Sequence, residues 1–187
     1  RALRLAGDLE RALRPLSDAA DLDPESLAPI EELAGVYADQ ERWEEVIRVK
    51  KRRLDIAEGH ERAMLLVEIG EIFAERLDDS TKASKNFAAA LEERPDDRRV
   101  LTRLMRLYSE EKDWGKLVEV VLKLAEGVED TTQKAKYVQT AAVVCSRQLK
   151  DYDQALKHLN QVIELDPGNN SALTEAIEVR ENMEDFE

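Results

Sequence analysis

Residues 36–47 read VYADQERWEEVI, and residues 107–118 read LYSEEKDWGKLV. Tyr37 and Tyr108 lie 71 residues apart, as do Trp43 and Trp114, the only tryptophans in the chain. Other landmarks keep the same step: Pro24, Pro95 and Pro167 are 71 and 72 apart, and so are Ala12, Ala83 and Ala155. Trp114 plus 72 lands on Phe186, with EDF in place of KDW. A recurrence of this kind constrains the fold more than any composition does. The chain must be built from units that copy one another, each covering its neighbour's apolar face.

Each unit is itself two related halves. LTRLMRLYSEEKDWGKLVEVVLKLAE and LLVEIGEIFAERLDDSTKASKNFAAALEE both show apolar residues at i, i+3, i+4 and i+7, then a polar break, then a second stripe. That period predicts two amphipathic helices joined by a short turn. No sustained alternation of period two and no Asn-Gly turn occurs, so strands are not expected. Asp79 or Ser80, Asp113 and Asp151 stand in the breaks as helix N-caps, and the recurring prolines act as stops. Both ends of the chain cut through a unit, so it reads as a piece of a longer repeat protein.

Charge and composition exclude several classes of function. The chain carries 41 Asp and Glu against 28 Lys and Arg, a net charge of −13, which opposes nucleic acid and anionic lipid as partners. No apolar run approaches the ~20 residues of a membrane helix. The reading is of a soluble helical protein. The single cysteine, Cys145, precludes an internal disulfide and fits a reducing, cytoplasmic compartment. Gly-rich phosphate loops, HExxH, paired ExxH and CxxC are all missing, so no cofactor, metal or catalytic site is expected and the chain does not read as an enzyme. His60 and His158 stand among charges and read as surface or turn residues. Cys145 sits at an inner helical position and reads as a buried, inert thiol. The run RVKKRR at 48–53 reads as a solvated face.

These features resemble the tetratricopeptide repeat, a helix–turn–helix of ~34 residues. The pattern is matched by Ile69, Gly70, Phe73, Ala83, Phe87, Ala90 and Pro95, and by Ala142, Cys145, Ala155, Leu159 and Pro167, each set with one extra residue in the turn. The alternate halves carry Leu33, Ala34 and Tyr37, or Leu104, Met105 and Tyr108, with Val46 or Leu117 where the family prefers Ala. The resemblance implies an all-α fold, a right-handed α-α superhelix (solenoid), in a single array. Its segments are 1–24 (partial), 25–60, 61–97, 98–131, 132–168 and 169–187 (partial). The Tyr and Trp would fill the wedge between paired helices, the alternative being Trp as an exposed ligand platform. Ala34, Gly70, Ala83, Ala142 and Ala155 would let helices approach.

In such arrays the first helices line the concave side, which holds an extended peptide or a partner helix; the resemblance implies the same here. The helical period puts Glu31, Gly35, Ala38, Val67, Glu71 and Ala74 on that side. From the later repeats come Arg99, Thr102, Arg103 and Arg106, then Lys136, Gln139, Val143 and Arg147. The Arg stripe suits an acidic peptide or chain terminus, unless these side chains pair with Glu68, Glu71 and Glu75. The leading expectation is a non-catalytic interaction scaffold. The alternatives are a structural spacer of a larger protein, with end-to-end self-association through uncapped ends, and RNA binding of the pentatricopeptide kind.

Three positions depart from the pattern. Pro15 falls inside a helix and is expected to bend or interrupt it. Lys50 and Arg53 occupy positions that should be apolar, so that helix is expected to be rotated or lengthened to use Val46, Val49, Leu54 and Ala57. Met105 replaces a small residue and implies looser packing.

Overall fold

Aspartates set where the helices begin. Asp79 accepts a hydrogen bond from the Lys82 N–H (2.9 Å), Asp113 from Lys116 (3.3 Å) and Asp151 from Gln154 (3.0 Å), as the polar breaks lead one to expect. Two further caps are Asp97, which takes the N–H groups of Arg99 and Val100, and Asp130, which takes that of Gln133 at 2.6 Å. Each satisfies donors that the first helical turn leaves unpaired.

The computed structural model describes residues 9–23 and 26–184. Pro24 and Phe186 lie outside them, and of Ala12 only the helical backbone is described. Ten α-helices and no strand occur among the described residues. They are α1 (Leu9–Leu22), α2 (Leu27–Asp39), α3 (Trp43–Leu54), α4 (Gly59–Glu75) and α5 (Ser80–Glu93), then α6 (Arg98–Glu111), α7 (Trp114–Glu126), α8 (Thr131–Val144), α9 (Tyr152–Leu165) and α10 (Asn170–Glu184). The chain divides into two compact units, Arg1–Pro95 and Asp96–Glu187. Within the first, α1 packs on α2, α2 on α3, α3 on α4 and α4 on α5; within the second, α6 to α10 pack in the same successive way.

The apolar periodicity appears directly as burial. In the first unit Ala20, Ile30, Leu33, Ala34, Val46 and Val49 form a core against which Tyr37, Trp43 and Ile72 pack. In the second, Ala135, Val138, Ala142, Cys145, Ala155, Leu159 and Val162 form another with Ala172, Ala176 and Val179. Each fully buried Leu, Ile, Val or Phe contributes about 1.5–3 kcal/mol. Gly70 lies where α4 and α5 touch: a Cβ there would stand 2.8 Å from Phe87 Cε1, and Phe87 is fully buried. The small residue is a condition of the approach.

The extra turn residue has a precise structural expression. At the end of four first helices the carbonyl at the aromatic position accepts from the N–H of the next helix's N-cap residue. The gap is five residues for Tyr37 with Arg42 and Tyr108 with Asp113, both at 2.9 Å, and six for Phe73 with Asp79 (2.9 Å) and Cys145 with Asp151 (3.0 Å). In the last case the added residue widens the helix end into a π-helical turn, Cys145–Leu149. Each of these four junctions is closed by one left-handed residue just before the N-cap position: Glu41, Asp78, Lys112 or Lys150, with φ of 51–57°.

Four expectations need correction. Of the two outcomes expected for Pro15, interruption does not occur: α1 runs through it to Leu22, the ring removing one N–H from the ladder while the flanking turns persist. Of the two outcomes expected for the helix after Trp43, lengthening does not occur: α3 stops at Leu54, although Val46 and Val49 on it and Ala57 in the following loop are buried as expected. The run at 48–53 is not simply a solvated face. Arg53 makes a two-pronged contact with Glu61 (2.5 and 2.7 Å), Arg52 pairs with Asp21, and Lys50 bonds Glu68. Finally, His158 is a core residue, 7% exposed, because it follows Ala155 by three on the face of α9 that meets the core. Cys145 is buried as expected, and desolvation raises its thiol pKa.

Candidate functional site

The helical period of α2 puts Ile30, Leu33 and Val36 into the core and leaves Glu31, Gly35 and Ala38 on another face. On α4 the buried set is Ala63, Leu66, Ile69, Gly70 and Phe73, while Glu68, Glu71 and Glu75 fall at steps of three and four on a second face. These two faces form the walls of a cleft in the first unit, with a volume of about 500 Å³. Its floor comes from α3 through Trp43, Val46 and Lys50, with Ile72 and Ala34 completing the apolar part. A volume of that size lies within the ~300–1,000 Å³ range of ligand sites.

Two anchored cations shape the cleft. Lys50 Nζ stands 2.5 Å from Glu68 Oε2, bridging the floor to the α4 wall. The Arg76 guanidinium lies over Trp43 at 4.9 Å from the ring centroid. Trp43 is half-buried: it packs against the core of the first unit and also lines the cleft, so the wedge and platform readings both describe one side chain. Beside the cleft, Arg42 covers Tyr37 at 4.8 Å and bonds Glu45 at 2.9 Å, which holds the Glu45 carboxyl below its ordinary pKa.

The residues singled out from sequence fall in different places. Glu31, Gly35, Ala38 and Glu71 line the cleft, whereas Val67, half-buried, and Ala74 do not. In the second unit Arg99, Thr102, Arg103 and Arg106 are all exposed on α6 and share one stripe. Arg106 pairs with Glu110 of its own helix at 2.9 Å, and Thr102 bonds the Arg98 carbonyl at 2.8 Å. Lys136 and Arg147 are exposed, the latter in the π-helical turn, and Val143 is half-buried. Gln139 is drawn toward α10: it donates to Ser171 (3.1 Å) and Glu175 (3.4 Å) and accepts from Asn169 at 3.3 Å. It ties two helices of the second unit together. Trp43, Lys50, Ile72 and Arg76 are cleft residues that the first-helix projection omits. For Lys50 the signal was its charge at a position where the repeat wants an apolar residue.

Hairpins of paired helices with a small-residue contact and a concave cleft define a helical-repeat protein. Residues 138–169 match the Tetratricopeptide repeat family, and the chain has the fold of tetratricopeptide repeat proteins. Among similar solved structures is YrrB, described as a tetratricopeptide repeat protein with an unusual peptide-binding site (20% identity, TM-score 0.51, covering 92% of this chain and 86% of that one). MamA is similar at 16% identity and TM-score 0.51, over 89% and 93% of the two chains. A tetratricopeptide repeat protein of Parabacteroides merdae is similar at 18% identity and TM-score 0.53, over 97% and 70%. No curated protein matches the sequence. No helix among the described residues is long and apolar enough to cross a membrane.

Proposed function

We propose that this chain is a non-catalytic protein-interaction scaffold, receiving a peptide or a partner helix against the first helices of its repeats. The cleft between α2 and α4 carries this reading. It has two helical walls, an apolar floor holding Trp43, and small residues, Ala34, Gly35 and Ala38, that let another backbone come close. The peptide-binding site named for YrrB, which shares this fold, supports the same use. The second candidate surface is the strip of Arg99, Thr102, Arg103 and Arg106 with Lys136, Gln139, Val143 and Arg147, whose cations would take an acidic partner. Of the groove residues expected on α4, Glu71 lines this cleft and Val67 does not. Affinity capture with the intact chain, the Arg103→Glu/Arg106→Glu variant and a Gly35→Leu variant that fills the cleft tests both surfaces. A bound protein lost with either variant supports the scaffold; recovery unchanged by both would leave only a structural spacer.

A further inference from the structure

We infer that the joint between α3 and α4 is an ionic latch, closed by Lys50 with Glu68 and by Arg53 with Glu61. Its release lets the hairpin α2–α3 swing from the hairpin α4–α5 and widens the cleft between α2 and α4. The second unit holds the equivalent joint, between α7 and α8. There the 71-residue step carries Lys50 onto Val121 and Arg53 onto Leu124, both buried in the core. An apolar seam, indifferent to salt, thus occupies the place that two cations take in the first unit. Those cations are largely shielded, with side-chain exposures of 19% for Lys50 and 13% for Arg53, whereas Glu68 and Glu61 keep 48% and 32%. A shielded cation that loses its carboxylate must regain water, and at this seam it does so by parting the helices.

The backbone at the first joint is also the freer of the two. Asp130 caps α8 by accepting from the Gln133 N–H at 2.6 Å, while Glu58 at the start of α4 makes no such bond. Beside it Gly59 takes φ 53°, with no atom within 4 Å of where a Cβ would stand. A left-handed glycine in open space is well suited to absorb the dihedral changes of a hinge. A third polar contact crosses the joint, Arg62 donating to the Leu54 carbonyl at 2.8 Å. Ile72, packed on the core of the first unit, limits the swing. The cleft follows the joint because its walls lie on opposite sides of it, Gly35 and Ala38 on α2 and Glu68 on α4. Lys50 and Glu68 both line the cleft, so the latch is reached from inside it, whatever the cleft receives.

The test measures the separation of two spin labels in the intact chain, with the buried Cys145 replaced by Ala. Ala28→Cys/Lys85→Cys puts the labels at exposed positions of α2 and α5, one on each hairpin. Arg99→Cys/Lys157→Cys is the equivalent exposed pair across the second joint. Raising the salt from about 0.05 M to about 1 M shortens the screening length to ~3 Å. The first pair should then shift to longer, broader separations while the second stays as it was. Glu61→Gln/Glu68→Gln should produce the same shift at low salt. Lys50→Val/Arg53→Leu, which copies the seam of the second unit, should abolish the response to salt. Thermal melting shows that each protein is folded under the conditions used. An equal salt response at both joints would mean general loosening and overturn the latch. So would a first-joint separation that ignores both salt and Glu61→Gln/Glu68→Gln, or a salt response that survives Lys50→Val/Arg53→Leu. Should that last variant fail to fold, the salt series and the glutamine variant decide between them.

Discussion

Gly70 on α4 faces the ring of Phe87 on α5 so closely that a single added carbon would sit 2.8 Å from Cε1 and 3.0 Å from Cδ1. Phe87 has nowhere to retreat, being fully buried. Gly70→Ala should therefore lower the stability of the first unit by about 1–3 kcal/mol of overpacking, less the ~1 kcal/mol by which Ala favours a helix. Urea denaturation checks the sign. A variant as stable as the parent would mean that the helices can part without cost.

The four left-handed junction residues give a second prediction. Lys112, at φ 57°, lies between the Tyr108 carbonyl and the Asp113 amide that it brings together. A β-branched side chain is poorly tolerated there, so Lys112→Val should cost about 1–2 kcal/mol, while Lys112→Gly should be neutral or slightly stabilising. Thermal melts of the pair decide it, and equal melting temperatures would refute the strain argument.

Asp97 caps α6 through two backbone donors, Arg99 and Val100, at 3.1 and 3.3 Å. Asp97→Ala should cost about 1 kcal/mol, and Asp97→Ser should recover most of it. Equilibrium unfolding of the three proteins is the measurement.

His158 makes the second unit sensitive to mild acid. It is buried, its Nδ1 has no hydrogen-bond partner among the described residues, and desolvation followed by the charge of Lys157 lowers its pKa below 6.5, partly offset by Asp151. Below about pH 6.5 the unfolded chain takes up a proton that the folded chain resists, so stability falls as pH drops through that value toward the lower folded pKa. The carboxylates of Glu61, Asp79 and Asp113, held low chiefly by Arg53, Lys82 and Lys116, act in a different window. Their contribution is present above the ordinary carboxylate pKa of about 4 and fades as pH falls through the folded values. His158→Leu should flatten the profile just below about pH 6.5 and leave the more acidic limb in place. A pH series of unfolding midpoints reads both limbs.

Much of the fold can be read along the chain because its signals are local. The 3.6 period and the aspartates at the breaks each concern residues within a turn or two of one another, the 71-residue step repeats them along the chain, and together they place α5, α7 and α9 almost unaided. Gly70, Ala83 and Ala155 declare close helix contacts for the same reason: a missing or minimal side chain at a repeated position has little other purpose. The candidate site was half legible. Glu31, Gly35, Ala38 and Glu71 follow from helical phase on the first helices.

What sequence determined, then, is the period, the helices and which stripe of each is apolar. Tertiary structure alone decided that Lys50 turns from α3 to Glu68, that Arg76 lies over Trp43, that His158 is buried, and that one extra residue becomes a π-helical turn after Val144. Helical phase fixes where a side chain points relative to its own axis. Whether that direction leads to water, to a core or to a carboxylate depends on how far the neighbouring helix is rotated and how closely it packs, and those are properties of the pair.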